Sequence, residues 1–171
     1  MAGTWAYFDT SALVKRYISE PGSLQVRQLL RRQEFLSSAL TPVELLSGLS
    51  RRRRGGDLSE QSFVALLRRI QLDRARWELV EVGSSVLNRA EELVQENVSI
   101  RTLDTIHVAS LVTFQTAAGR RLPFITGDGR QREAATHLGL DVIWVGQDDG
   151  ERYFPVLPLS FGTQISQNIS R

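Results

Sequence analysis

Short apolar runs separated by longer amphipathic ones are the feature that most limits what this chain can become. The short runs fall at Ala6–Phe8, Glu34–Ser38, Glu78–Val82, Pro123–Thr126 and Asp141–Val145, each of strand length. Between them apolar residues recur at helical spacing. Strands alternating with helices point to an α/β fold built on a parallel sheet. At 171 residues the chain is long enough for one domain with a substantial core.

The helical patterns are specific. One begins at Ala12 and runs to Tyr17; Gly22–Arg32 carries Leu24, Val26, Leu29 and Leu30. Pro42–Arg52 has its proline in the first turn behind Thr41, a favourable start. Ser59–Ala75 opens on a capping serine and places Phe63, Leu66, Leu67 and Ile70 on one side. Ser84–Gln95 would turn Val86, Leu87, Ala90 and Val94 inward. Leu103–Ala118 is apolar on almost every side and is expected in the middle of the molecule. Gln131–Leu138 stops at Gly139, which suits a C′ glycine.

"SRRRRGGD" (Ser50–Asp57) reads as the turn between two helices of an arm. From Gly150 the chain becomes polar, with Pro155 and Pro158 and no clear period. The expectation is a domain over 1–149 and a tail over 150–171 that is disordered or lies along a partner. No apolar run approaches the roughly 18 residues of a membrane span. No signal core follows the N-terminus, so the expected compartment is the cytoplasm. There are no cysteines, which excludes disulfides, thiolate metal sites and cysteine nucleophiles.

Four carboxylates stand where an α/β sheet presents its functional edge, outside the carboxyl ends of its strands. Asp9 follows the first strand in "WAYFDTSALVKRY". Glu44 lies at the start of a helix in "LTPVELL", Asp104 at the start of another in "RTLDTIHVASL", and Asp128 after a strand in "FITGDGR". Singly, each has a structural explanation. Asp9 suits a helix cap, Glu44 and Asp104 complement a helix dipole, and Asp128 suits a turn. Together they would place like charges at one end of the sheet, and Asp104 would sit in an apolar helix without a partner. A divalent ion resolves both problems. A site of carboxylates without cysteine favours a hard ion, Mg²⁺ or Mn²⁺. His107, three residues after Asp104, reads as a packed helix residue or a support for the acids; His137 reads as a surface residue.

The segments "YFDTSALVKRY", "LTPVELL", "RTLDTIHVASL" and "FITGDGRQREAATHLGL" resemble, in order and spacing, the four acidic motifs of PIN-domain ribonucleases. The likeness is strongest to VapC-type toxins of toxin–antitoxin pairs and covers about residues 5–146. It implies a three-layer α/β/α domain with a central parallel sheet of about five strands. It also implies Mg²⁺-dependent endonucleolytic cleavage of RNA, with Mn²⁺ as a substitute. By this resemblance Asp9, Glu44, Asp104 and Asp128 form the catalytic quartet, and Asp9, Asp104 and Asp128 are the metal ligands. Thr10, Ser11 and Thr126 support them. A small antitoxin partner and a homodimer follow from the same likeness.

Of the 21 basic residues only Lys15 is a lysine, and arginine's planar fork suits phosphate. Lys15 and Arg16 on the helix after Asp9, with Arg51 and Arg52 on the arm, are the candidate RNA contacts. Arg53, Arg54, Arg68 and Arg69 lie on the same arm. Two other readings compete: a PIN-like domain that binds RNA or protein without turnover, and a phosphatase with Asp9 as nucleophile. The phosphatase lacks a second carboxylate two residues on, where Ser11 stands, and a lysine near the later acids.

Overall fold

The computed structural model describes residues 4–96 and 100–146, so the expected tail lies outside the described residues. The elements in chain order are β1 (Thr4–Phe8), α1 (Thr10–Tyr17), α2 (Ser23–Arg32), β2 (Gln33–Ser38), α3 (Thr41–Arg54) and α4 (Glu60–Arg74). There follow β3 (Glu78–Val80), α5 (Ser84–Gln95), α6 (Thr102–Ala118), β4 (Phe124–Thr126), α7 (Gly129–His137) and β5 (Val142–Trp144). All strand pairs are parallel, in the order β3-β2-β1-β4-β5. Every expected strand is present. β3 stops at Val80 and not Val82 because its partner β2 ends at Ser38, the residue paired with Val80.

Alternation along β1 sends Tyr7 to one face and Ala6 and Phe8 to the other. On the first face Tyr7, Leu36 and Phe124 pack with Val86, Leu93, Val108 and Ala135, from α5, α6 and α7. On the second, Phe8, Phe35 and Ile125 pack with Leu13, Val26, Leu45, Phe63 and Ile70, from α1 to α4. Burial on both faces gives three layers, and explains why the strands read as unbroken apolar runs.

Three helix details differ from the sequence reading. α5 buries Val86, Ala90 and Leu93, leaving Leu87 and Val94 exposed, because one stripe suffices against a single layer. α6 is not buried throughout: Leu103 and the last turn are exposed. At 1.5 Å per residue its 17 residues run about 25 Å, longer than strands of three to six residues can cover. The four arginines of "SRRRRGGD" are the last turn of α3 and not loop; their charges complement the helix C-terminus, and the turn starts at Gly55. Among the described residues no helix is long and apolar enough to cross a membrane.

Candidate active site

The strand order reverses between β1 and β4, and ligands of open α/β sheets bind at such a reversal. Asp9 is the residue after β1, and Asp128 lies just past β4. Glu44 and Asp104 stand in the first turns of α3 and α6.

Asp9 is the N-cap of α1, its Oδ1 accepting from the Ala12 amide at 2.7 Å. The Ser11 hydroxyl reaches its two oxygens at 2.9 and 2.7 Å, and Thr126 Oγ1 donates to Oδ2 at 2.9 Å. The cap and the candidate ligand are therefore one residue. Its side chain has no exposure, and burial raises its pKa against the opposing effect of these donors.

Glu44 turns Oε2 to the Thr10 hydroxyl, which donates at 2.5 Å, and to His107 Nε2 at 2.7 Å. Burial by itself would raise its pKa. The hydrogen bonds that Oε2 accepts from His107 and Thr10 overcome that and hold Glu44 below its ordinary range. Asp128 caps α7, its Oδ1 accepting from the amides of Arg130 (2.8 Å) and Gln131 (3.2 Å). That cap is why α7 begins at Gly129, earlier than the sequence suggests. Asp104 Oδ1 accepts from Gln131 Nε2 at 2.8 Å. Burial pushes its pKa up and the Asp128 charge adds to it, while the Gln131 hydrogen bond works the other way.

The three hydroxyls named from the sequence each touch an acid. Thr126 also accepts from the Asp128 amide at 3.0 Å, tying the two strand-end acids together. Among the described residues no group of three Asp, Glu or His side chains is close enough to hold one metal ion; each acid faces a protein donor. Nor, among those residues, does Asp9, Asp104 or Asp128 have an arginine or lysine at ion-pair distance, whereas Glu20, Glu60, Asp73, Glu92 and Glu96 do. The donor chemistry of the three suits a hard divalent cation, since they are carboxylate oxygens without a compensating charge.

The sequence reading missed two residues. Tyr7 hid in an apolar strand, although a buried phenol needs a partner for its hydroxyl, and that was the available signal. Gln131 carried no signal beyond lying three residues after Asp128. His107 is both a packed residue and a support, but it holds Glu44 and not its helical neighbour Asp104.

Of the four acids Glu44 alone lines a groove of about 350 Å³, shared with Thr10, Ser11, Val14, Gly48, Arg51 and Arg52. Larger depressions, around Trp5 and Trp77 or around Arg89 and Arg121, contain none of the four acids. Of the candidate RNA contacts, exposed Arg51 has no ion pair among the described residues, while Arg52 pairs with Glu20. Lys15 is buried, its Nζ 3.3 Å from Glu20, so its charge is already engaged. Arg16 lines the Trp5–Trp77 cleft and not this groove. Its guanidinium donates twice to Asp73, at 2.8 and 3.1 Å, and the Tyr17 hydroxyl donates to the same carboxylate at 2.9 Å, clamping α1 to α4.

Asp73→Ala should therefore lower stability by about 2 kcal/mol, as expected for hydrogen bonds to a charged group. Burial raises the Asp73 pKa, but the Arg16 and Tyr17 hydrogen bonds win and its pKa is lowered. The clamp thus contributes above the ordinary aspartate range and is lost as pH falls through the folded value. Urea melts of the two proteins should converge at low pH; a gap that persisted there would show that the charge is not what holds the clamp.

Residues 6–136 match the PIN domain family. The chain is 36% identical over 138 residues to Ribonuclease VapC46 of Mycobacterium tuberculosis, covering 80% of this chain and 95% of that protein. Among solved structures it resembles a toxin–antitoxin complex from Klebsiella pneumoniae (TM-score 0.56, 16% identity, 81% of this chain and 95% of the other). It likewise resembles VapBC2 of Rickettsia felis bound to a promoter DNA fragment (TM-score 0.57, 12% identity, 82% and 98%). At these identities the structural likenesses speak to the fold, a five-stranded parallel sheet between helical layers. The family match and the mycobacterial relative together place the chain in the PIN-domain family, as a member of the VapC type.

Proposed function

We propose that this protein is a Mg²⁺-dependent endoribonuclease, the toxin of a toxin–antitoxin pair, cutting RNA at Asp9, Glu44, Asp104 and Asp128. The observation that supports the reading is that Asp9 and Asp128 follow the strands flanking the sheet's switch point, with Asp104 hydrogen-bonded to Gln131 of the helix that Asp128 caps. Among the described residues none of the three is ion-paired to an arginine or lysine. Asp9 and Asp104 are assigned as direct ligands of Mg²⁺ or Mn²⁺, and Asp128 as a further one. Such an ion, when bound, lowers the pKa of a water and offsets charge on the scissile phosphate. Ser11 and Thr126 fix the orientation of Asp9. Glu44, held ionised, is suited to orienting the attacking water more than to taking its proton. Arg51 and Arg52 line the groove and are assigned as phosphate contacts, Arg51 with its charge unpaired among the described residues and Arg52 shared with Glu20.

The name of the mycobacterial relative supports RNA as substrate, and the complexes among the structural neighbours support a small antitoxin partner. That partner would cover the groove and set a basic side chain among the acids. A homodimer acting in the cytoplasm completes the reading.

The competing reading, a domain that binds RNA without cutting it, draws on the separation of the acids. An RNA cleavage assay decides between them. Cleavage should appear with Mg²⁺ or Mn²⁺, vanish in EDTA and return with excess Mg²⁺; RNA bound but intact at every Mg²⁺ concentration would favour the binding module. Arg51→Glu should weaken RNA binding by roughly tenfold at low salt and reduce the salt slope by about one, while Arg16→Ala leaves both unchanged.

A further inference from the structure

Glu44 projects from a helix, and its orientation depends on what grips its carboxylate. Oε2 has two neighbours, the Thr10 hydroxyl at 2.5 Å and His107 Nε2 at 2.7 Å. An ionised carboxylate only accepts hydrogen bonds, so the hydrogen between Glu44 and the ring belongs to Nε2. The other ring nitrogen, Nδ1, lies 3.1 Å from the Tyr7 hydroxyl. A phenol carries its proton at neutral pH and the hydrogen on the ring is taken by Nε2, so the Tyr7 hydroxyl donates to Nδ1. Tyr7 and His107 are 0% and 1% exposed, and their rings meet edge to face at 6.0 Å. An apolar side chain would fill this interior without needing partners for two nitrogens. Here both nitrogens are partnered, Nδ1 by Tyr7 and Nε2 by Glu44, with Thr10 Oγ1 also 3.3 Å from Nε2.

From these contacts we propose that Tyr7 and His107 are positioning residues for Glu44. Tyr7 sets the tautomer of the ring, His107 Nε2–H grips Oε2, and Oε1 is left to face the groove. The contact reaches from β1 through α6 to α3, so it joins the strand that Asp9 follows to the helix that carries Glu44. Its catalytic consequence rests on the ribonuclease reading; the ring's tautomer does not.

The protein's two histidines make the test direct, because exposed His137 serves as an internal reference. In ¹⁵N-histidine-labelled full-length protein in EDTA, long-range ¹H–¹⁵N spectra should show His107 as the Nε2–H tautomer, with a slowly exchanging proton. Tyr7→Phe and Glu44→Ala should each disturb that pattern. An Nδ1–H tautomer, or averaging like that of His137, would overturn the proposal.

In RNA cleavage, His107→Leu should lower kcat by roughly 100-fold with KM nearly unchanged, the scale of losing a residue that orients a site ligand. His107→Gln, whose amide nitrogen can stand where Nε2 stands, should recover most of that loss. A leucine variant as active as wild type, or a folded glutamine variant as poor as leucine, would equally overturn the proposal. Should the wild type cut no RNA, the ribonuclease reading fails and the tautomer alone decides the relay.

Discussion

Replacing Asp9 with asparagine should abolish RNA cleavage and, at neutral pH without metal, raise the melting temperature. Asparagine keeps an acceptor for the Ala12 amide, and the Ser11 and Thr126 hydroxyls can rotate to meet its amide nitrogen. What disappears is a buried charge. Asp9 is fully buried and its folded pKa lies above the ordinary value, so the ionised form is penalised on folding. For an acid raised in this way the wild type bears no penalty below the unfolded pKa. It bears all of it once pH exceeds the folded one. The difference in melting temperature, Asp9→Asn minus wild type, should therefore be largest near neutrality and close as pH falls. Added Mg²⁺ should raise the wild-type melting temperature and leave the variant's unchanged, because a ligand stabilises only the state that binds it. Several kcal/mol of metal-derived stabilisation, at 1.36 kcal/mol per decade, means a loss of about 10³-fold in cleavage. A variant cutting within tenfold of wild type would remove Asp9 from the metal site. One less stable than wild type in EDTA at neutral pH would contradict the burial argument.

The fold and the four acids could be read from the sequence for the same reason. Strand ends and helix starts at one sheet edge are local features, and the period of two or 3.6 residues locates them without knowledge of what packs where. Side-chain direction is not local in that sense. Lys15 and Arg16 are neighbours in "LVKRY", yet one residue turns a helix by 100°. Lys15, four residues after Ser11, shares its face and lies against Gly127, while Arg16 swings to Asp73 on α4. The face of α5 could not be fixed either, since Leu93 and Val94 both fit a helical stripe until α6 selects one. The His107–Glu44 contact spans 63 residues and the Tyr7–His107 contact 100, and no spacing rule reaches that far.

The second large effect is on stability. Gly22→Ala should cost about 3 kcal/mol, on the order of 10 °C in a domain of this size. Gly22 sits between α1 and α2 with φ +85°, a conformation that L side chains rarely adopt. A Cβ there would also overlap the Val145 carbonyl oxygen and come within 2.9 Å of its carbon. Those atoms are backbone and have little freedom, because the Val145 amide donates to the Thr126 carbonyl at 2.9 Å. Thr126 in turn holds Asp9, so relief of the clash by moving Val145 would be felt at the acids. Gly22→Asn separates the two costs, since asparagine tolerates positive φ but still brings a Cβ. If the overlap dominates, asparagine should be nearly as damaging as alanine, and both should reduce cleavage at temperatures where the fold remains intact. If asparagine restores the wild-type melting temperature, the dihedral was the whole cost. An alanine variant melting within about 2 °C of wild type would mean that Gly22 and Val145 do not meet as closely as the fold requires.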